Sequence, residues 1–215
     1  MRHRILPLAL MCFLFLSPPT SAQDAPSLAE LQARYERLNG LRAAFIQITT
    51  SEFAGDSTRI DGRVLLQGNK YRVETPGQTV VTNGETTWIY SPADSQVVVN
   101  NADRSGSTIT PQTFLTTSAE AYEVTATKTT RRNGALHDVL SLTATADTTR
   151  FRKATLWVRR TDRIVTRLRA TDRNGATLDL RLHDIVVNPA FKDTPFTFSP
   201  PEGAEVVDLR RNSGE

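Results

Sequence analysis

The chain has 215 residues, 39% of them hydrophobic, with 26 basic and 23 acidic side chains, a net charge of +3 and one cysteine, Cys12. That length suffices for a single domain around one core. One cysteine excludes an internal disulfide, so the fold is held by its core alone.

The N-terminus is read first as a leader. Arg2, His3 and Arg4 precede the apolar run ILPLALMCFLFL, too short to anchor in a bilayer, and SPPTSA follows with small residues at Thr20 and Ala22. This is the pattern of a Sec-type signal peptide over residues 1–22, cut after Ala22. Cys12 is preceded by Met11, where lipoprotein processing requires a small residue. Removing Arg2 and Arg4 takes the basic count from 26 to 24 against 23 acidic residues, a net charge of +1, and removes the cysteine. No later apolar run approaches the ~20 residues of a membrane span. The expectation is one soluble, extracytoplasmic domain over 23–215.

In chain order, SLAELQARYERLNG predicts a helix. Ser27 and Glu30 form an S-x-x-E capping box, Leu28, Leu31, Tyr35 and Leu38 share one stripe, and Gly40 stands where the helix stops. From Leu41 the period changes to two. LRAAFIQITT, IDGRVLLQ, KYRVE, the two arms around Asn83-Gly84 and SQVVVNN all read as strands, with Gly68-Asn69 and Asn83-Gly84 as hairpin turns. TPQTFLTT (110–117) predicts a short helix with Pro111 at its first turn, and a further turn falls near NPAFKD. Turn signals at Asn133-Gly134, Thr161-Asp162 and Asn174-Gly175 then divide a meander of hairpins.

The alternation in that second half puts Leu140 and Leu142, Leu156 and Val158, Ile164 and Leu168, and Leu178, Leu180 and Leu182 on one face, with Arg, Thr and Asp on the other. One face of the sheet is therefore buried and the other wet. About ten short-connected strands are too many for a flat sheet, so the fold class is mainly β (α+β), an antiparallel sheet curled into a barrel or half-barrel with short helices over an apolar concave face. Those helices either plug a filled core or form a movable lid over a cavity, and periodicity leaves both open.

No constellation for catalysis is legible. His137 and His183 each neighbour an aspartate in a strand without metal-ligand spacing, and there is no G-x-S-x-G elbow or phosphate loop, so neither a metal nor a cofactor is expected. Arg150, Arg152, Lys153, Arg159, Arg160, Arg163, Arg167, Arg169 and Arg173 form a basic cluster. Arg167 and Arg169 alternate with Leu168, as a solvated convex face requires. A docking surface for an acidic protein or anionic headgroups is the alternative, and export argues against nucleic acid.

Three stretches carry a resemblance. LRAAFIQ (41–47) resembles the F-x-A-x-F-x-Q opening strand of the periplasmic outer-membrane lipoprotein carrier family, LolA, with Phe45 and Gln47 in step and Leu41 replacing the first aromatic. VVTNGETTWIYSP (80–92) is similar to that family's V-S-D-G-K-T-L-W-F-Y-x-P hairpin, and PFTFSPPEGAEVVD (195–208) to its F-T-F-x-P-P-x-G-x-x-V-x-D ending. The resemblance implies an incomplete antiparallel β-barrel, a half-barrel lidded by short helices, that holds the acyl chains of triacylated lipoproteins. It takes them from an ABC-type releasing complex of the inner membrane toward the outer membrane and a receptor there, with no catalysis. The lining residues expected on the apolar faces are Val64, Leu66, Tyr71, Val73, Trp88, Tyr90, Leu142, Leu156, Val158, Leu168 and Leu180, with Leu31, Phe114 and Leu115 as lid contacts. In the first strand Phe45 and Ile46 point opposite ways, and the pattern does not choose between them. The family's V-K-R-P-N turn carries an arginine that bonds lid backbone. Here LLQGNKY places Gln67 or Gly68 at that point, with Lys70 and Arg72 as the nearby cations. The rivals are a periplasmic sensor or lipid-binding module of the same half-barrel fold that regulates a membrane partner, and a hydrolase using the cleft.

Overall fold

Helix α1 runs from Leu28 to Glu36, and both bonds of its capping box are made: the Ser27 hydroxyl accepts from the Glu30 amide and the Glu30 carboxylate from the Ser27 amide. The computed structural model describes residues 25–51, 55–102, 114–115, 120–191 and 195–210, so the expected leader over 1–22 and most of the 110–117 helix lie outside the described residues. Phe114 and Leu115 are helical, as expected there. Residues 188–191 are not helical, and 192–194 lie outside the described residues.

Twelve strands are present among the described residues. They are β1 (Leu41–Thr50), β2 (Ser57–Gln67), β3 (Lys70–Glu74), β4 (Thr79–Thr82), β5 (Thr86–Ser91) and β6 (Gln96–Asn101), then β7 (Tyr122–Arg132), β8 (Ala135–Ala144), β9 (Phe151–Arg159), β10 (Ile164–Asp172), β11 (Thr177–Val187) and β12 (Glu205–Asp208). All lie in one sheet of order β12-β6-β5-β4-β3-β2-β1-β11-β10-β9-β8-β7, whose ends do not meet. The long-range step is β1 against β11, which joins two meanders into one surface; β12 adds in parallel beside β6.

The turns follow local chemistry. Asn133 and Gly134 both have positive φ and join Arg132 to Ala135 in a two-residue loop, as the Asn-Gly signal predicts. Asn83-Gly84 closes differently. Only Gly84 has positive φ, and the Asn83 side chain instead accepts from the amides of Glu85 and Thr86, so the turn is side-chain capped and longer.

Two glycines are required by close approach rather than by turns. A Cβ on Gly40 would sit 2.6 Å from the Phe191 ring, so this residue makes room for the C-terminal segment, and the helix itself ends earlier, at Glu36. A Cβ on Gly62 would meet the Phe45 ring and the Glu74 carbonyl at 2.5 Å. The gap that Gly62 leaves opposite Phe45 in the β1–β2 ladder is where that ring lies.

Candidate functional site

The cross-strand register decides which side chains share a face. Phe45 pairs with Leu182, Leu180 with Leu168, Leu168 with Leu156, and Leu156 with Leu140. On the other side of β1, Leu41 pairs with Leu66, Ala43 with Val64, Val64 with Val73, Leu66 with Tyr71, and Val73 with Val80. One apolar surface therefore crosses from β4 to β8, and the first strand contributes Leu41, Ala43 and Phe45 to it while Ile46 points away. Val64, Leu66, Tyr71, Val73, Leu142, Leu156, Val158, Leu168 and Leu180 are all brought together here, within or packed against one core cluster.

Trp88 and Tyr90 are not. Val80 pairs with Ile89, so Ile89 faces the shared surface and its two aromatic neighbours face the opposite side, with Val81, Val97 and Val99. This corrects the expected placement of Trp88 and Tyr90 on the lining. The physical reason is a second cover. The C-terminal segment folds back over this outer side, where Tyr90 and Phe198 have ring centroids 5.8 Å apart, Phe196 is buried and packs edge-on against Phe191, and Arg72 donates to the Pro195 carbonyl. Strand β5 is apolar on both faces because it is covered on both.

The cover on the concave side comes from α1 and from Phe114 and Leu115. Leu28, Leu31 and Tyr35 belong to the same cluster as the sheet leucines, and Phe114 lies 5.4 Å from the Tyr122 ring. Among the described residues, four side-chain bonds tie α1 and its exit to the sheet. The Tyr35 hydroxyl accepts from the buried Val165 amide at 3.1 Å, and Arg34 donates to the Asp162 carbonyl at 3.0 Å. The Asn188 side chain accepts from the Asn39 amide, and the Gln67 amide donates to the Asn39 carbonyl. Gln67 thus ties β2 to the chain just after α1. Arg72 does not reach the concave side: it lies on the outer face, bonded to Glu74 and Pro195. Burial pushes the Tyr35 hydroxyl pKa well above its ordinary value, against the bond from Val165, so it stays neutral. Nothing in the sequence signals this bond, because the free Val165 amide arises from tertiary pairing: β11 joins β10 only from Arg167 onward.

One buried charge borders this surface: Asp138 stands opposite Val158 and holds Arg160 at 2.7 Å. On the convex face Asp179 pairs with both Arg167 and Arg181, and Arg167 lies 4.5 Å over the Trp157 ring. Burial alone would raise the Asp179 carboxyl, but hydrogen bonds from the two arginines outweigh it and hold the pKa at about 2. Of the basic cluster, Arg159, Arg160, Arg167 and Arg173 are paired with carboxylates. His137 is buried with Nδ1 3.1 Å from the Ala135 carbonyl, and burial lowers its pKa. His183 meets its own neighbour Asp184 at 2.9 Å, because Asp184 has positive φ in a β11 bulge and is turned back from the opposite face. Among the described residues no three His, Cys, Asp or Glu side chains converge as a metal site would require, and no helix is long and apolar enough to cross a membrane.

A family model described as outer membrane lipoprotein carrier protein LolA matches residues 36–199, most of the chain. The chain belongs to the LolA family. Among curated relatives, an outer-membrane lipoprotein carrier protein of Haemophilus influenzae is 28% identical over 98% of this chain and all of that one. Another of that name, from Azotobacter vinelandii, is 26% identical over 95% and 97% of the two chains. A crystal structure of a conserved protein from Thermus thermophilus shares the fold, with a TM-score of 0.57 at 16% identity over 85% of this chain and 98% of that one.

Proposed function

We propose that this LolA-family protein is a periplasmic carrier that holds the acyl chains of triacylated lipoproteins against its concave face. It receives them from an ABC-type complex in the inner membrane and releases them toward the outer membrane, as a monomer and without catalysis. The observation that carries the reading is the single apolar surface running across the open sheet from β4 to β8, which among the described residues α1 and the Phe114–Leu115 segment cover. Its lining is Val64, Leu66, Tyr71, Val73, Leu142, Leu156, Val158, Leu168 and Leu180, with Ile89 in place of Trp88 and Tyr90. Leu31, Phe114 and Leu115 are the lid contacts, and acyl chains enter as that cover lifts. The matching names of the relatives support the cargo class.

The test is native mass spectrometry of the protein purified without detergent after co-expression with a tagged triacylated lipoprotein. The expected species is a one-to-one complex that disappears when the acylated cysteine of the cargo is replaced. An empty protein under conditions that load an established carrier would overturn the proposal and favour the sensor reading.

A further inference from the structure

At the end of the sheet opposite α1, a cavity of about 120 Å³ opens where β1 and β10 end and β9 and β11 begin. Phe151 and Leu178, both members of the main core, form its floor. Its walls are polar: Gln47, Thr49, Arg150, Asp172 and Thr177. Gln47 and Thr49 stand opposite Leu180 and Leu178 in the β1–β11 ladder, so this cavity is the polar end of the same concave face.

The polar groups are poised rather than consumed. Among the described residues Arg150 forms no ion pair and rests 5.2 Å over the Phe151 ring. Asp172 uses one carboxylate oxygen to accept from the amides of Asn174 and Ala176, and its second oxygen has no partner among the described residues. The Gln47 side chain makes no hydrogen bond among them either. The rim therefore offers one cation, one carboxylate oxygen, an amide that both donates and accepts, and two hydroxyls. A lone carboxylate or phosphate would meet Asp172, and a lone ammonium would meet Arg150. A neutral group that carries donors and acceptors together meets neither penalty, and main-chain amides are that group. At ~30 Å³ per water the cavity has room for about four waters, or a short stub of main chain.

We infer that this cavity seats the first peptide units following the acylated cysteine of the cargo, while the acyl chains lie along the leucine surface beyond. The inference rests on the carrier reading and adds to it a site that recognises the peptide rather than the lipid. It predicts that a lipopeptide is held by contacts that a free fatty acid of equal chain length does not make.

The experiment is displacement of a fluorescent fatty-acid analogue from the 23–215 chain by two competitors, a triacylated Cys-Ser-Asn peptide amide and palmitate. The variants are Gln47→Leu combined with Thr49→Val, which keeps shape and removes hydrogen bonds, and Arg150→Met alone. Each should weaken the lipopeptide about tenfold and leave palmitate unchanged, the unchanged palmitate also reporting an intact fold. Unaltered lipopeptide affinity in both variants overturns the inference, and so does equal loss of both competitors. Selective loss of palmitate would assign an anion site instead and overturn it too. If the wild type binds neither competitor, the carrier reading itself fails and this inference falls with it.

Discussion

Replacing Tyr35 by Phe isolates one atom in the attachment of α1 to the sheet. The ring is buried in the main core and stays in place; only the oxygen is lost. That oxygen lies 3.1 Å from the Val165 amide, and Val165 is 0% exposed. Because β11 does not reach Val165, no carbonyl of the ladder stands ready to take over. The variant thus leaves a buried N–H without an acceptor, which costs about 1–3 kcal/mol, whereas an exposed bond of the same length would cost a fraction of that. For a chain of this size each kcal/mol lowers Tm by about 2–4 °C. Urea unfolding should show a lower midpoint with an unchanged slope, and the Val165 amide should exchange with deuterium faster than its β10 neighbours. A loss below about 0.5 kcal/mol with unaltered exchange at Val165 would refute the reasoning and mean that packing alone holds α1.

Two further outcomes follow from the register and the charges. Asp179 titrates at about 2 in the folded protein against an ordinary value of 3.8, so its stabilisation is complete above pH ~4 and is lost as pH falls toward 2. At 1.36 kcal/mol per unit, discounted because Arg181 is 40% exposed, Asp179→Asn should cost about 1–2 kcal/mol at neutral pH, with the gap to wild type closing between pH 4 and 2; parallel Tm–pH curves would contradict this. A photo-crosslinking amino acid placed at Ile89 should capture acylated cargo, and the same group at Tyr90, one residue on but on the other face, should not. Equal capture at both would mean that the concave side is not the acyl side.

The parts of the fold that could be read in advance are those where one face is wet. From β8 to β11 the leucines recur at every second position and most of their neighbours are polar, Val139 and Trp157 being the exceptions, so the inward set, Leu140 through Leu182, follows largely from period. Strand β5 defeats the same method. Ile89 faces one apolar layer and Trp88 and Tyr90 another, and the second layer is built by a segment more than a hundred residues later. Period alone does not say which of these faces meets the larger core, and the Val80–Ile89 pairing gives that side to the isoleucine. Strand β12 escaped for a related reason, since its parallel pairing beside β6 depends on where the tail returns. Gly40 was legible as a glycine with a task, but the task is room for Phe191, a contact no local pattern contains.

The composition of the concave face bears on how a carrier releases what it holds. At about 0.8 kcal/mol per buried CH₂, hiding three acyl chains from water is worth tens of kcal/mol, beyond the roughly 20 kcal/mol at which non-covalent affinity saturates. A protein that kept that gain would never deliver. The relevant competitor is the bilayer, which offers the chains the same burial, so the carrier must be the poorer host of the two. Thr82 and Thr87 stand opposite each other on the concave side, beside Tyr71, so hydroxyl groups interrupt the apolar surface at that flank. On the proposed carrier reading, each such group takes away acyl contact that a leucine would supply, and the sum would set the protein below the membrane as a solvent for lipid. It follows that filling this face with leucines should slow transfer of acyl cargo to vesicles. Faster transfer from such a variant would show that cavity affinity does not control release.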